Sequence, residues 1–126
     1  MRSVDTNLVV RLIVRDDPKH LAIAERSVEG GAWVSRLVLL EAIGVPGSVC
    51  RRSARQLAVI VGMLLERRDL VPQDRDVVAS ALGRFRLRNA PGFPDCLLLA
   101  AARKAGHLPL ATFDRKLGAA IGAHRI

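Results

Sequence analysis

Four carboxylates stand apart by where they fall in the sequence: Asp5, Glu41, Asp95 and Asp114. The chain has 12 acidic residues, and most have ordinary settings. Asp16 and Asp17 precede a proline in a loop. Asp69, Asp74 and Asp76 flank a short apolar segment and start a helix. Glu25, Glu29 and Glu66 fall at solvated helix positions. Asp5, by contrast, ends the first strand, and Asp114 follows LPLAT at a strand-to-helix junction, although either could also serve as a turn or cap residue. Asp95 opens the apolar run CLLLAAA, where N-capping is the alternative explanation. Glu41 interrupts LVLLEAIGV and is expected to be buried, which calls for a cation or a hydrogen-bonded cage. Arg36 is near in sequence, but positions 36 and 41 share a helical face poorly. Four carboxylates brought together repel one another and call for a divalent ion. Hard oxygen ligands without a His/Cys set favour Mg²⁺ or Mn²⁺ over Zn²⁺. His20, His107 and His124 are scattered and read as surface residues, while Cys50 and Cys96 lack metal-type spacing and read as small hydrophobes.

Short apolar strands alternating with helical patterns must position these acids. Strands are expected at Ser3 to Asp5, Ala32 to Ser35, Leu70 to Val71 and Leu108 to Thr112, with another near the C-terminus. Helices are expected over Asn7 to Val14, Pro18 to Glu29, Arg36 to about Val45, Ser53 to Arg67, Asp74 to about Arg86, Asp95 to Ala105 and Arg115 to Ala120. Pro18 suits a first turn and Gly30-Gly31 a stop. Pro46 lacks an N–H and biases Val45 away from helical angles, so the helix carrying Glu41 should end or kink between Ala42 and Pro46. This alternation predicts an α/β fold with a parallel sheet and helices on both faces. The active sites of such sheets lie beyond the carboxyl ends of the strands, where the four acids can converge.

The length of 126 residues argues for one domain over 1–126. Half of the residues are apolar and only 3% aromatic, so the core is expected to be aliphatic, and base stacking on aromatic platforms loses support. The net charge is +8, and Lys19, Lys104 and Lys116 are the only lysines. An arginine-rich surface suits a nucleic acid or an acidic protein, though Arg and Ala together are also what a GC-rich genome encodes. The N-terminus has no signal-peptide pattern, and the apolar run Leu57 to Leu65 is too short to span a bilayer, so the expected setting is cytoplasmic, without a membrane.

The segments VDTNLVVRLIVRDDP, WVSRLVLLE, GFPDCLLLAAARKAGH and PLATFDRKLG follow one another along nearly the whole chain. In this order the sequence resembles PIN-domain proteins, and among them the VapC-type toxins of toxin–antitoxin pairs. The resemblance implies a three-layer α/β/α sandwich with a central parallel sheet, and metal-dependent cleavage of RNA. It matches Asp5, Glu41, Asp95 and Asp114 to the family's acidic site, and Asn7 and Thr112 to polar residues that support it. It also implies a homodimer silenced by a cognate antitoxin. The chain departs from the pattern at Gly92, where many relatives carry an acid. It departs again at Gly44 and Pro46, where the helix usually continues through bulky residues.

The expected activity is hydrolysis of RNA phosphodiesters, with one or two ions lowering the pKa of a water and orienting it in line with phosphorus. Asp5, Asp95 and Asp114 are the expected direct ligands. Glu41 is expected to bind through water or to position the nucleophile, with Asn7 and Thr112 orienting the carboxylates. Arg11, Arg15, Arg84, Arg86 and Arg88 are candidates for holding the RNA backbone. The alternative is a weak or inactive module that binds an antitoxin or RNA without cutting. A phosphatase-like Asp nucleophile would want a phosphate-cradling loop, and no Gly-rich loop follows the first strand.

Overall fold

Helix starts in this chain are set by short polar side chains, and one of them is a candidate site residue. In the computed structural model, which describes residues 1–44 and 52–126, Asp5 precedes α1 (Thr6–Val14) and accepts a hydrogen bond from the Leu8 N–H at 3.1 Å. Asp17 does the same for α2 (Pro18–Val28), accepting from the N–H groups of Lys19 and His20. These bonds satisfy donors that the first turn leaves without intrahelical partners. Val45, Pro46 and Cys50 lie outside the described residues, and with them the expected break at Pro46.

The chain divides into two compact units, 1–75 and 76–126. In the first, β1 (Arg2–Ser3), β2 (Ala32–Val34) and β3 (Leu70–Pro72) form a parallel sheet in the order β1-β2-β3. Arg2 lies opposite Ala32, and Ala32 opposite Leu70. Strand β1 ends before Asp5, but the Val4 N–H still bonds the Trp33 carbonyl, so Asp5 directly follows the paired backbone. Helix α3 (Arg36–Gly44) follows β2, and α4 (Ala54–Glu66) leads back to β3. The latter starts with a reciprocal cap between Ser53 and Gln56. Helix α1 packs against α2 and α3, and α4 against β3. Val9, Leu12, Val28, Ala32, Leu39, Val61 and Leu70 are among the buried residues of this unit.

The second unit holds α5 (Arg75–Phe85) from Asp76 onward, α6 (Phe93–Ala105), β4 (Leu110–Thr112), α7 (Arg115–Gly118) and β5 (Ala123–Arg125). Strands β4 and β5 pair in parallel, with Leu110 opposite Ala123. An edge-to-face pair, Phe85 with Phe93 at 5.7 Å, joins Val78, Leu97 and Leu99 in an otherwise aliphatic interior. Gly118 permits close passage of α7 and β5: a Cβ there would lie 2.6 Å from the Cβ of Arg125.

Several local expectations are corrected. Helix α6 starts at Phe93 rather than Asp95, because Pro94 is suited to the first turn and Gly92 takes the cap position without a side-chain bond. Asp95 is therefore inside the first turn and is not a cap. Asp74 precedes α5 with a positive φ of 49°, and its carboxylate binds Arg36 at 2.6 Å. Strand β4 begins only after Pro109, which has no N–H to pair. Glu25 was expected to be solvated, but it joins a network with Arg15, Arg67 and Asp69.

Candidate functional site

The most consequential correction concerns Glu41. It is exposed, not buried. Leu39, Ala42 and Ile43 form the buried face of α3, while Leu37, four residues before Glu41, is 66% exposed. The apolar run thus includes a leucine that faces outward with Glu41, and apolar composition alone did not reveal the direction of that face. Arg36 is committed to Asp74.

Packing of α1 on α3 brings Thr6 to Glu41, and the Thr6 hydroxyl donates to Glu41 Oε2 at 3.3 Å. Thr6 was missed in the sequence, although it stands between Asp5 and Asn7 in the same DTN segment. Asp5 caps α1 through Oδ1. Asp5 and Glu41 are thus linked through adjacent residues of one helix start. Asn7 is exposed and instead lines a cleft of about 420 Å³ with Leu8, Arg11, His20, Ile23 and Ala24.

In the second unit, Asp114 caps α7, accepting from the Leu117 N–H at 2.7 Å. Its own N–H donates to the Thr112 hydroxyl at 3.0 Å, which fixes the backbone where β4 ends. Asp95 is half-buried in the first turn of α6, where the positive end of the helix favours its charge. Its neighbour Cys96 is buried, and its thiol contacts the Pro91 carbonyl at 3.5 Å. Burial pushes that thiol pKa up, so it behaves as a packed hydrophobe.

Among the described residues, ion pairing engages six of the 12 acids. Asp16 pairs with Arg11, Asp17 with His20, Glu25 and Asp69 with Arg67, Asp74 with Arg36, and Asp76 with Lys104. Hydrogen bonds from Arg67 hold the Glu25 and Asp69 carboxyls below the usual carboxylate range. Asp5, Glu41, Asp95 and Asp114 enter no ion pair among the described residues, and neither do Glu29 and Glu66, in a chain with a net charge of +8. Their oxygens retain the capacity to bind a hard cation, so the donor chemistry fits Mg²⁺ or Mn²⁺. Among the described residues, no group of three or more His, Cys, Asp or Glu side chains is assembled as a metal site.

The basic candidates divide as well. Arg11 and Arg15 are engaged by Asp16 and Glu25 in exposed pairs. Arg84 and Arg88 line a cleft in the second unit together with Lys116, whereas Arg86 does not. No helix among the described residues is long and apolar enough to cross a membrane.

No curated protein and no solved structure matches the chain. The PIN-domain family model matches residues 3–121, which takes in all four acids and both units. PIN domains are typically metal-dependent nucleases, with a mixed α/β fold of the three-layer α/β/α class; the parallel strands and intervening helices described above agree with it. The chain belongs to the PIN-domain family.

Proposed function

We propose that this protein is a Mg²⁺- or Mn²⁺-dependent endoribonuclease, the VapC-type toxin of a type II toxin–antitoxin pair. The observation that carries this reading is that all four candidate acids, Asp5, Glu41, Asp95 and Asp114, enter no ion pair among the described residues of an arginine-rich chain. Carboxylates free of cationic partners are suitable ligands for a hard cation. Asp5, Asp95 and Asp114 are the residues that would hold the ion directly. A bound divalent ion supplies Lewis acidity toward the phosphoryl oxygens and lowers the pKa of the attacking water. Glu41, restrained by the Thr6 hydroxyl, positions that water. Thr112 orients Asp114 through the backbone N–H at the strand end, and Asn7 is the second supporting polar residue. Basic side chains hold the RNA backbone. The active form is a homodimer, and a cognate antitoxin silences it by covering the site.

A second reading, binding of RNA or an antitoxin without cleavage, is favoured by one observation: among the described residues no donor group of metal-site size is assembled. One experiment separates the two. Purified protein is incubated with a pool of tRNA and rRNA in Mg²⁺, Mn²⁺ or EDTA, and the ends of the products are sequenced. The nuclease reading requires defined new ends that vanish in EDTA. RNA bound but uncut in both metals would decide for the binding module.

A further inference from the structure

The second unit contains a cleft of about 300 Å³ lined by both cationic and apolar side chains. Arg84, Arg88 and Lys116 supply the charge, and Leu87, Pro91 and Ile121 supply apolar surface. No acidic residue lines it. Arg84 lies in the last turn of α5, Arg88 in the turn that follows it, and Lys116 in α7. None of the three cations enters an ion pair or a side-chain hydrogen bond among the described residues, unlike Arg11, Arg15, Arg36 and Arg67. Arg84 is half-buried, so a charge partly removed from water faces the cleft without a carboxylate to offset it. Leu87 and Ile121 are 65% and 79% exposed.

The cleft is held in shape before anything binds. The Leu87 N–H bonds the Arg84 carbonyl and the Ala90 N–H bonds the Leu87 carbonyl, while Cys96 contacts the Pro91 carbonyl from α6. The segment forming this wall runs directly into the first turn of α6, which carries Asp95. The opposite wall belongs to α7, which Asp114 caps. The candidate acids Asp95 and Asp114 thus stand at the starts of the helices that adjoin the two walls of the cleft.

We propose that this cleft is a substrate subsite for single-stranded RNA, taking one nucleotide with its flanking phosphates. This rests on the ribonuclease reading above and names where its substrate lies. Arg84, Arg88 and Lys116 bind the phosphates, Arg by paired N–H donors and Lys as a mobile point charge. The ribose and base cover Leu87, Pro91 and Ile121. A volume at the small end of ligand pockets admits a single nucleotide unit. Only an unpaired strand can turn its base onto an apolar wall. Arg86, outside the lining, is not part of the subsite.

The test measures binding of a short labelled oligoadenylate by fluorescence anisotropy in EDTA, where cleavage does not intervene, across a series of salt concentrations. The variants are Arg88→Gln, Lys116→Gln and the double variant, all at exposed positions, with Arg26→Gln in the first unit as a control of the same charge change as each single variant. Unchanged melting temperatures report an intact fold. The double variant should bind at least about tenfold more weakly, with a log–log salt slope reduced by roughly 1.4, about 0.7 for each lost phosphate contact. Each single variant should show about half of that slope change. Arg26→Gln should bind like the parent. Equal weakening by Arg26→Gln, or an unchanged slope in the double variant, overturns the subsite. So does displacement of the RNA by oligoglutamate at equal concentration, which would assign the cleft to an acidic protein segment. Cleft-dependent binding of RNA that Mg²⁺ never converts to cleavage defeats the nuclease reading and leaves the subsite standing. Mg²⁺-dependent cleavage with unaltered binding by the double variant does the reverse.

Discussion

The Thr6 hydroxyl donates to Glu41 Oε2 across 3.3 Å, joining the first turn of α1 to the outer face of α3. The bond connects residues 35 apart in sequence, and among the described residues neither side chain makes another hydrogen bond. Because it is exposed, its contribution to stability is small, while its effect on the orientation of Glu41 need not be. Thr6→Val should lower stability by no more than about 1 kcal/mol. RNA cleavage should fall far more than that loss accounts for, and Thr6→Ser should restore most of it. Urea unfolding and single-turnover cleavage, measured side by side, check the pair. Equal activity in parent and Thr6→Val would remove Glu41 orientation from the account.

Asp95→Asn should abolish cleavage and leave the fold intact. The side chain makes no capping bond, so the substitution removes only the favourable interaction of the charge with the helix N-terminus, about 0.5 kcal/mol. Circular dichroism should be unchanged, and the melting temperature nearly so. A folded, rigorously purified Asp95→Asn protein that still cuts RNA in a metal-dependent way would exclude Asp95 as a ligand.

Millimolar Mg²⁺ or Mn²⁺ should raise the melting temperature of the free protein, because an ion bound only by the folded chain stabilises it by mass action. Asp5→Asn should shrink that rise. The amide oxygen can still accept the Leu8 N–H, so the cap survives while the charge is lost. Differential scanning fluorimetry with and without each metal measures both effects, and equal shifts in the two proteins would place the ions elsewhere.

Acid should weaken the first unit through Arg67. Its hydrogen bonds to Asp69 and Glu25, at 2.7 Å each, hold both carboxyls below their ordinary values of 3.8 and 4.5. A carboxyl depressed on folding contributes stability that is complete above its unfolded pKa and disappears as pH falls through its folded one. Arg67→Gln should therefore cost about 1 kcal/mol at neutral pH, the partial exposure of the cluster limiting the effect. The difference from the parent should narrow as pH drops below 4.5 and then through the depressed folded values. Urea titrations at neutral pH and near about pH 3 measure it; a gap that stays constant would mean that Arg67 acts through packing alone.

Much of this protein is written locally. Pro18 and Gly30 bracket α2, and Ser53 with Gln56 starts α4, because caps and turns depend on residues within about four positions of one another. The start of α6 was equally legible in Pro94, whose ring suits a first turn, although the expected start fell at Asp95. The order of the four acid-bearing segments along the chain, from the DTN opening to the ATFD closing, was sufficient to indicate the PIN family that the match over 3–121 shows. Tertiary structure alone decided the outward face of Glu41, since α3 is apolar on both its buried and its open side. It also decided which acids found arginines: Arg36 reaches Asp74 across 38 residues and Arg67 reaches Glu25 across 42. Such partners are set by which elements pack side by side, and neither charge nor periodicity within one segment encodes that choice.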